Sequence, residues 1–229
     1  MKAMILAAGL GQRMRPLTDH LPKPLLPLAG KPLIEYHLES LARLGVKQLV
    51  INLAYLGYLI RAHVGDGSRW GLEVNYSEEP EPLETGGGIS RALPLLGSEP
   101  FLLVNADVWT DWPFERWRER QLVDGQLGHL LLVPNPEFHP QGDFGLNASG
   151  LVADEETVPR YTFAGISLLH PDLVASYPRK REKFPLAEAL RWAIAQRRIS
   201  GEVHKGGWSD VGTPARLAAL EEYLIRSPC

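Results

Sequence analysis

Residues 1–18 read Met1-Lys2-Ala3-Met4-Ile5-Leu6-Ala7-Ala8-Gly9-Leu10-Gly11-Gln12-Arg13-Met14-Arg15-Pro16-Leu17-Thr18, and residues 21–32 continue Leu21-Pro22-Lys23-Pro24-Leu25-Leu26-Pro27-Leu28-Ala29-Gly30-Lys31-Pro32. The apolar run over residues 2–8 is a buried strand, and it breaks into a glycine-rich turn. Such a turn lets bare backbone N–H groups approach a phosphate. Residues 1–34 carry five basic side chains, Lys2, Arg13, Arg15, Lys23 and Lys31, against one acid, Asp19, whereas the whole chain has a net charge of −3. Positive charge therefore gathers where the backbone is least encumbered, which points to a nucleoside triphosphate. Two common phosphate motifs are excluded. Met14 stands where a dinucleotide-binding G-x-G-x-x-G needs its third glycine, and no G-x-x-x-x-G-K-[ST] occurs.

Working outward, strands alternate with helices. The pattern predicts a helix from Lys31 to Leu44, with Pro32 in its first turn and Gly45 as C-cap. A strand over 48–53, a helix over 55–64, a strand over 72–77, a helix over 88–96 and a strand over 101–105 follow. This is the rhythm of a mostly parallel mixed sheet flanked by helices, a single-domain α/β Rossmann-like fold. In such a sheet ligands lie at the C-terminal strand ends, where residues 8–13 and 105–109 fall. Past Asp107 the rhythm loosens. A helix over 113–122, a strand over 127–133, a Pro- and Gly-rich loop over 134–145 and a hairpin turn at 147–150 are expected. A strand over 161–169 and helices over 185–197 and 214–225 complete the chain. The first 110 residues read as a nucleotide-binding half and 111–229 as a sugar-binding half.

At 229 residues, with 45% hydrophobic and 22% charged side chains, the composition is that of an ordinary globule. The mildly acidic balance offers no general attraction to nucleic acid or anionic membrane. The single cysteine, Cys229, excludes an internal disulfide and a cysteine-based zinc site. No apolar stretch approaches the roughly 18 residues of a membrane span, and no signal-peptide pattern precedes the first strand, so the expected location is the cytoplasm. Monomer or weak homodimer is the expected state. The histidines form no H-x-x-x-H, no serine lies in a G-x-S-x-G, and the aromatics are not interleaved with a basic patch.

The stretch Leu6-Ala7-Ala8-Gly9-Leu10-Gly11-Gln12-Arg13-Met14-Arg15-Pro16-Leu17-Thr18 with Pro22-Lys23-Pro24-Leu25 resembles the signature of the sugar-1-phosphate nucleotidylyltransferases. About a dozen residue types agree in register, which a lone G-x-G would not. The resemblance implies catalytic roles for Arg13, on the departing pyrophosphate, and Lys23, between the α-phosphate and the attacking sugar phosphate. It implies nucleotide contacts from Leu6, Ala8, Gly9, Gly11, Arg13 and Lys23, and from Glu79, Thr85, Gly86 and Gly87 in Glu79-Pro80-Glu81-Pro82-Leu83-Glu84-Thr85-Gly86-Gly87-Gly88. Glu84 replaces a usual glycine there. It implies Mg²⁺ held by Asp107 and Asp210, the latter in Trp208-Ser209-Asp210-Val211-Gly212-Thr213-Pro214. Two hard carboxylates suit that ion, which keeps waters and substrate phosphates around itself. Sugar contacts would come from Asn105, Asp143, Phe144, Gly145 and Gly165. His139, Arg160, His204 and Lys205 are further cations on that side. The E-K-P of many relatives is absent; Glu155-Glu156-Thr157-Val158-Pro159 occupies the equivalent region.

Within this family, Glu84-Thr85-Gly86-Gly87-Gly88 and Asp107-Val108-Trp109-Thr110-Asp111 are similar to the short N-acetylmuramate-1-phosphate uridylyltransferases of peptidoglycan recycling. That likeness implies UTP and N-acetylmuramic acid (MurNAc) 1-phosphate as substrates, giving UDP-MurNAc and pyrophosphate. Glucose-1-phosphate or mannose-1-phosphate nucleotidylyltransfer is the alternative. A catalytically silent nucleotide-sugar sensor is a third reading, opposed by the retention of Arg13, Lys23, Asp107 and Asp210.

Overall fold

A computed structural model describes residues 1–155 and 158–226; of the positions raised above, Glu156, Thr157 and Cys229 lie outside the described residues. The first half contains β1 (Lys2–Leu6), β2 (Pro27–Leu28), β3 (Lys31–Pro32), α1 (Leu33–Leu44), β4 (Gln48–Leu53), α2 (Gly57–Val64), β5 (Glu73–Glu78), α3 (Glu84–Leu96), β6 (Phe101–Asn105) and β7 (Val108–Thr110). The second contains β8 (Gly128–Val133), β9 (Phe144–Leu146), β10 (Val152–Ala153), β11 (Arg160–Leu169), α4 (Asp172–Ala175), α5 (Leu186–Ala195), β12 (Ile199–Val203), β13 (Trp208–Asp210) and α6 (Pro214–Arg226).

From one edge the main sheet runs β5–β4–β1–β6–β11–β8–β12, with β9 and β10 continuing from the N-terminal half of β11. β1, β4, β5 and β6 are mutually parallel, β8 and β12 are parallel to each other, and β11 runs antiparallel to both β6 and β8. The sheet is thus mostly parallel and mixed, as its sequence rhythm predicts. Side chains alternate across it. Ala3, Ile5, Leu49, Ile51, Leu102 and Val104 pack on α1 and α2, while Met4, Val50, Phe101 and Leu103 pack on α3 and α5. A third cluster, including Met14, Leu28, Leu33, Trp109, Val211 and Leu217, joins the first turn to α6. No helix among the described residues is long and apolar enough to cross a membrane.

Most expected boundaries hold within two residues. Gly45 caps α1 in the left-handed conformation with φ 97°, its N–H donating to Ala42 and Leu41. The Asn147–Gly150 turn forms, with Asn147 Oδ1 accepting from the backbone of Ser149 and Leu151. Two expectations fail. The helix over 113–122 is only a short 3-10 turn, Phe114–Trp117. Trp112, Phe114 and Trp117 are all buried and meet edge to face, a spacing no single helical stripe supplies. The helix placed at 88–96 begins four residues earlier, because Glu84 turns the chain at φ 62°. The ribbon of β7 and β13 has no counterpart in the sequence pattern.

Candidate active site

The order of connections reverses at β1. The chain proceeds from β1 to β4 and β5 on one side, then returns to β6 on the other. Crevices form at the C-terminal ends of strands at such a switch point. Here Leu6 of β1 is in register with Asn105 of β6 and Asn52 of β4, and all three line a cavity of about 640 Å³. The rest of its wall comes from the turn after β1, Lys23, Asp107, Glu79 and the start of α3.

The turn is pinned from behind. Thr18, 1% exposed, donates its hydroxyl to Gly11 O at 2.8 Å. Gly11 sits at φ 62°, and a Cβ there would come 3.0 Å from Thr18 Cγ2, so glycine is required for both reasons. Thr18 of the sequence signature therefore acts through shape. Ala7 N donates to Asn52 Oδ1 at 2.7 Å, and Asn52 Nδ2 donates to Glu79 Oε1 at 2.7 Å. Leu83 N donates to the other Glu79 oxygen at 2.9 Å. Glu79 is thus a buried link between the turn and α3 that also faces the cavity. Gly88 exists for this link: a Cβ would lie 2.7 Å from Glu79 Oε1 and 2.9 Å from Asn52 Nδ2. Gly88→Ala should destabilise the fold by about 1–3 kcal/mol through overpacking, about 2–4 °C in Tm per kcal/mol for a domain of this size. An unchanged melting curve together with an unchanged KM for UTP would show that the link is dispensable.

Of the expected nucleotide residues, Leu6, Ala8, Gly9, Gly11, Arg13, Lys23, Glu79 and Thr85 line the cavity. Gly86 and Gly87 do not. Their N–H groups donate to Phe184 O at 2.9 and 3.1 Å, and a Cβ on either would strike Phe184 or Glu182. Their missing side chains admit the 182–184 segment, and Glu84 and Lys183 face the cavity beside them.

A second cavity of about 340 Å³ adjoins the first and shares Arg13, Asn105 and Asp107 with it. Of the residues named for sugar contact, Asn105, Asp143 and Gly165 line it, with Phe138, His139, Thr162 and Arg216. Phe144 is 2% exposed and does not line it, and neither does Gly145, whose missing Cβ accommodates Val158 and Ala153. Gly165, at φ 76° in a register shift of β11, leaves room for the Asn105 side chain. Arg160 is an internal brace, donating to Asp143 O, Gln141 O and Asp154. His204 pairs with Asp111 at 2.7 Å, and Lys205 is exposed, so neither lines the cavity.

The two aspartates meet through the β7–β13 ribbon. Asp210 pairs with Val108, and Val211 N donates to Asp107 O at 2.7 Å. Burial pushes the Asp210 carboxyl above its ordinary value, and Asp107 adds to this, while Arg216, Lys23 and Arg13 oppose it. Each carboxylate bears an internal cation: Lys23 Nζ lies 2.8 Å from Asp107 Oδ2, and Arg216 NH1 lies 2.7 Å from Asp210 Oδ1. Two neighbouring hard-oxygen donors that already attract cations fit a magnesium ion completed by water and substrate phosphate. Behind them His37 is buried, and burial pushes it down to about 4 against the Val108 backbone and Asp107, so it is neutral at pH 7. Sequence reasoning missed Lys183 on the larger cavity and Arg216 on the smaller. An arginine on a surface helix reads as solvated, and its one signal is its place six residues after Asp210.

The nucleotidyl transferase family model matches residues 2–226. The chain is 48% identical over 221 residues to an N-acetylmuramate alpha-1-phosphate uridylyltransferase of Neisseria meningitidis serogroup B, covering 95% of each. It is 36% identical to one of Caulobacter vibrioides, covering 98% of this chain and 97% of the relative. It is also 31% identical to a glucose-1-phosphate thymidylyltransferase of Streptomyces griseus, covering 99% of this chain and 67% of the relative. Among solved structures, a Bacillus anthracis protein described as a glucose-1-phosphate thymidylyltransferase, in complex with a sucrose, superposes with a TM-score of 0.84 at 18% identity, covering 97% and 94% of the two chains. That likeness is one of fold. With a family match spanning nearly every residue and relatives aligned end to end, the chain belongs to the nucleotidyl transferase family.

Proposed function

We propose that the protein transfers UMP from UTP to MurNAc 1-phosphate, giving UDP-MurNAc and pyrophosphate, as a Mg²⁺-dependent cytoplasmic enzyme of peptidoglycan recycling. The observation that carries the reading is the pair of joined cavities meeting at Arg13, Asn105 and Asp107. One is walled by the glycine turn, the other by the 138–143 loop and β11. The 48% identity to a relative with this printed activity supports the choice of base and sugar.

The nucleotide lies in the larger cavity, with turn amides and Arg13 on its β- and γ-phosphates. The sugar 1-phosphate enters the smaller one and its phosphate oxygen attacks the α-phosphorus in line, with pyrophosphate leaving. Lys23 is held by flanking prolines in a 3-10 turn and is 11% exposed in its side chain. It can exchange Asp107 for the α-phosphate with little loss of rotamer freedom. Asp107 and Asp210 would hold the magnesium ion, which supplies charge neutralisation at the phosphate oxygens.

MurNAc carries a lactyl carboxylate at O3, so its wall must tolerate an anion. Asp143, the acid of the 138–143 loop, is engaged by His139 Nε2 at 3.1 Å and by Phe163 N at 2.8 Å. This lessens the repulsion an incoming carboxylate meets. The test is pyrophosphate release from four nucleoside triphosphates crossed with a panel of sugar 1-phosphates. UTP with MurNAc 1-phosphate should exceed UTP with GlcNAc 1-phosphate or glucose 1-phosphate by at least ~10-fold in kcat/KM, about 1.4 kcal/mol. Equal or better use of glucose or mannose 1-phosphate would reject the muramic-acid substrate and leave nucleotidyl transfer in place.

A further inference from the structure

Arg216 is held in a way that a solvated arginine is not. Its guanidinium lies over the Phe138 ring, 4.1 Å from the centroid. It also packs beside Gly212, where a Cβ would collide with Arg216 NH2. NH1 meets Asp210 at 2.7 Å, and the side chain is 19% exposed. A planar fork fixed by an aromatic face, a glycine and an acid has little rotamer entropy left to lose. A guanidinium carries five donors, so the contact through NH1 leaves others to meet a ligand.

The position of that fork selects its ligand. Among the described residues, three basic side chains line the smaller cavity: Arg13, His139 and Arg216. Arg13 is shared with the nucleotide cavity, and His139 is tied to Asp143. Lys23 lines the nucleotide cavity alone. Arg216 is therefore the permanent cation that belongs to the smaller cavity and not to the larger. A sugar 1-phosphate bound for in-line attack must bring its charged phosphate to the junction of the cavities, against Asp107, Asp210 and the triphosphate. Such an approach needs a local cation, and arginine matches phosphate with paired N–H donors.

We propose that Arg216 binds the phosphate group of the sugar 1-phosphate. Asp210 holds the guanidinium in place before that substrate arrives and shares it afterwards. The inference rests on the sugar-phosphate reading of the smaller cavity, not on which sugar fills it.

The experiment compares wild type, Arg216→Gln and Arg216→Lys in the full chain, with MurNAc 1-phosphate and GlcNAc 1-phosphate as acceptors. Mn²⁺ binding in the presence of UTP is followed by electron paramagnetic resonance. Arg216→Gln should raise the KM of both acceptors by the same factor, about 30-fold, or about 2 kcal/mol at 1.4 kcal/mol per decade. The KM for UTP and the Mn²⁺ affinity should stay within about twofold, since their ligands are intact. Arg216→Lys keeps the charge without the fork and should fall between, which preserves the test if the glutamine variant folds poorly. A loss confined to UTP and Mn²⁺ would overturn the proposal, because Arg216 would then only position Asp210. A rise confined to MurNAc 1-phosphate would also overturn it, because Arg216 would then read the lactyl carboxylate. If wild type prefers another sugar 1-phosphate, the muramic-acid reading fails, and the same comparison on that sugar still decides the role of Arg216.

Discussion

Asp107→Ala and Asp210→Ala should each lower turnover by ~100-fold or more, because a bound metal contributes several kcal/mol of transition-state charge stabilisation and each 1.4 kcal/mol is about a factor of ten in rate. The two variants differ in what they leave behind. Removing Asp107 strands Lys23 Nζ, and removing Asp210 strands the guanidinium of Arg216. Asp→Asn at each position keeps an oxygen facing the cation while removing the charge a metal needs, so it separates packing from charge. Pyrophosphate release measured across a Mg²⁺ titration, with melting curves alongside, checks the assignment. The alanine and asparagine variants should lose activity together while melting near wild type. Wild-type turnover at limiting Mg²⁺ in either pair would remove that residue from the metal site.

Lys23→Ala should lower kcat and kcat/KM for UTP by the same factor, ~100-fold, with KM for UTP nearly unchanged. The argument is geometric. Lys23 is largely buried and points at Asp107, the side of the cavity where the proposed mechanism brings the α-phosphate and the attacking oxygen together. A contact made mainly as charge develops there acts on the transition state and little on the ground state. Arg13 provides the contrast. It is exposed and faces both cavities, so Arg13→Ala should weaken use of UTP and, in reverse, of pyrophosphate. Steady-state kinetics in both directions distinguish the two. A Lys23→Ala enzyme altered only in KM for UTP would contradict the role assigned to that lysine.

The sequence makes the sheet and its helices readable where one element carries its own periodic signal. β1, β4 and β6 are short apolar runs between amphipathic helices, β5 alternates Val74 and Tyr76 with polar residues, and the crossings follow from them. The β7–β13 ribbon is different. Three-residue strands carry no period, and their pairing spans about 100 positions, which composition does not announce. The turn at Phe114–Trp117 misleads for another reason, since Trp112, Phe114 and Trp117 are held by packing on one another and not along one face of a helix. At the site, the glycine turn, Lys23 and the two aspartates are legible because a motif names them. Gly86 and Gly87 read as ligand-facing glycines and instead make room for Phe184 and Glu182. Arg216 is invisible until α6 is placed against Phe138.

On the proposed metal role, the ribbon also sets when the site is completed during synthesis. One aspartate is synthesised near the middle of the chain and the other close to its end, and each waits on the other strand to be set in place. A growing chain can pair β1, β4, β5 and β6 long before Asp210 exists, but Met14 of the turn after β1 must wait for Val211 and Leu217 to cover it. The turn and the pair of carboxylates are therefore set in place together during synthesis.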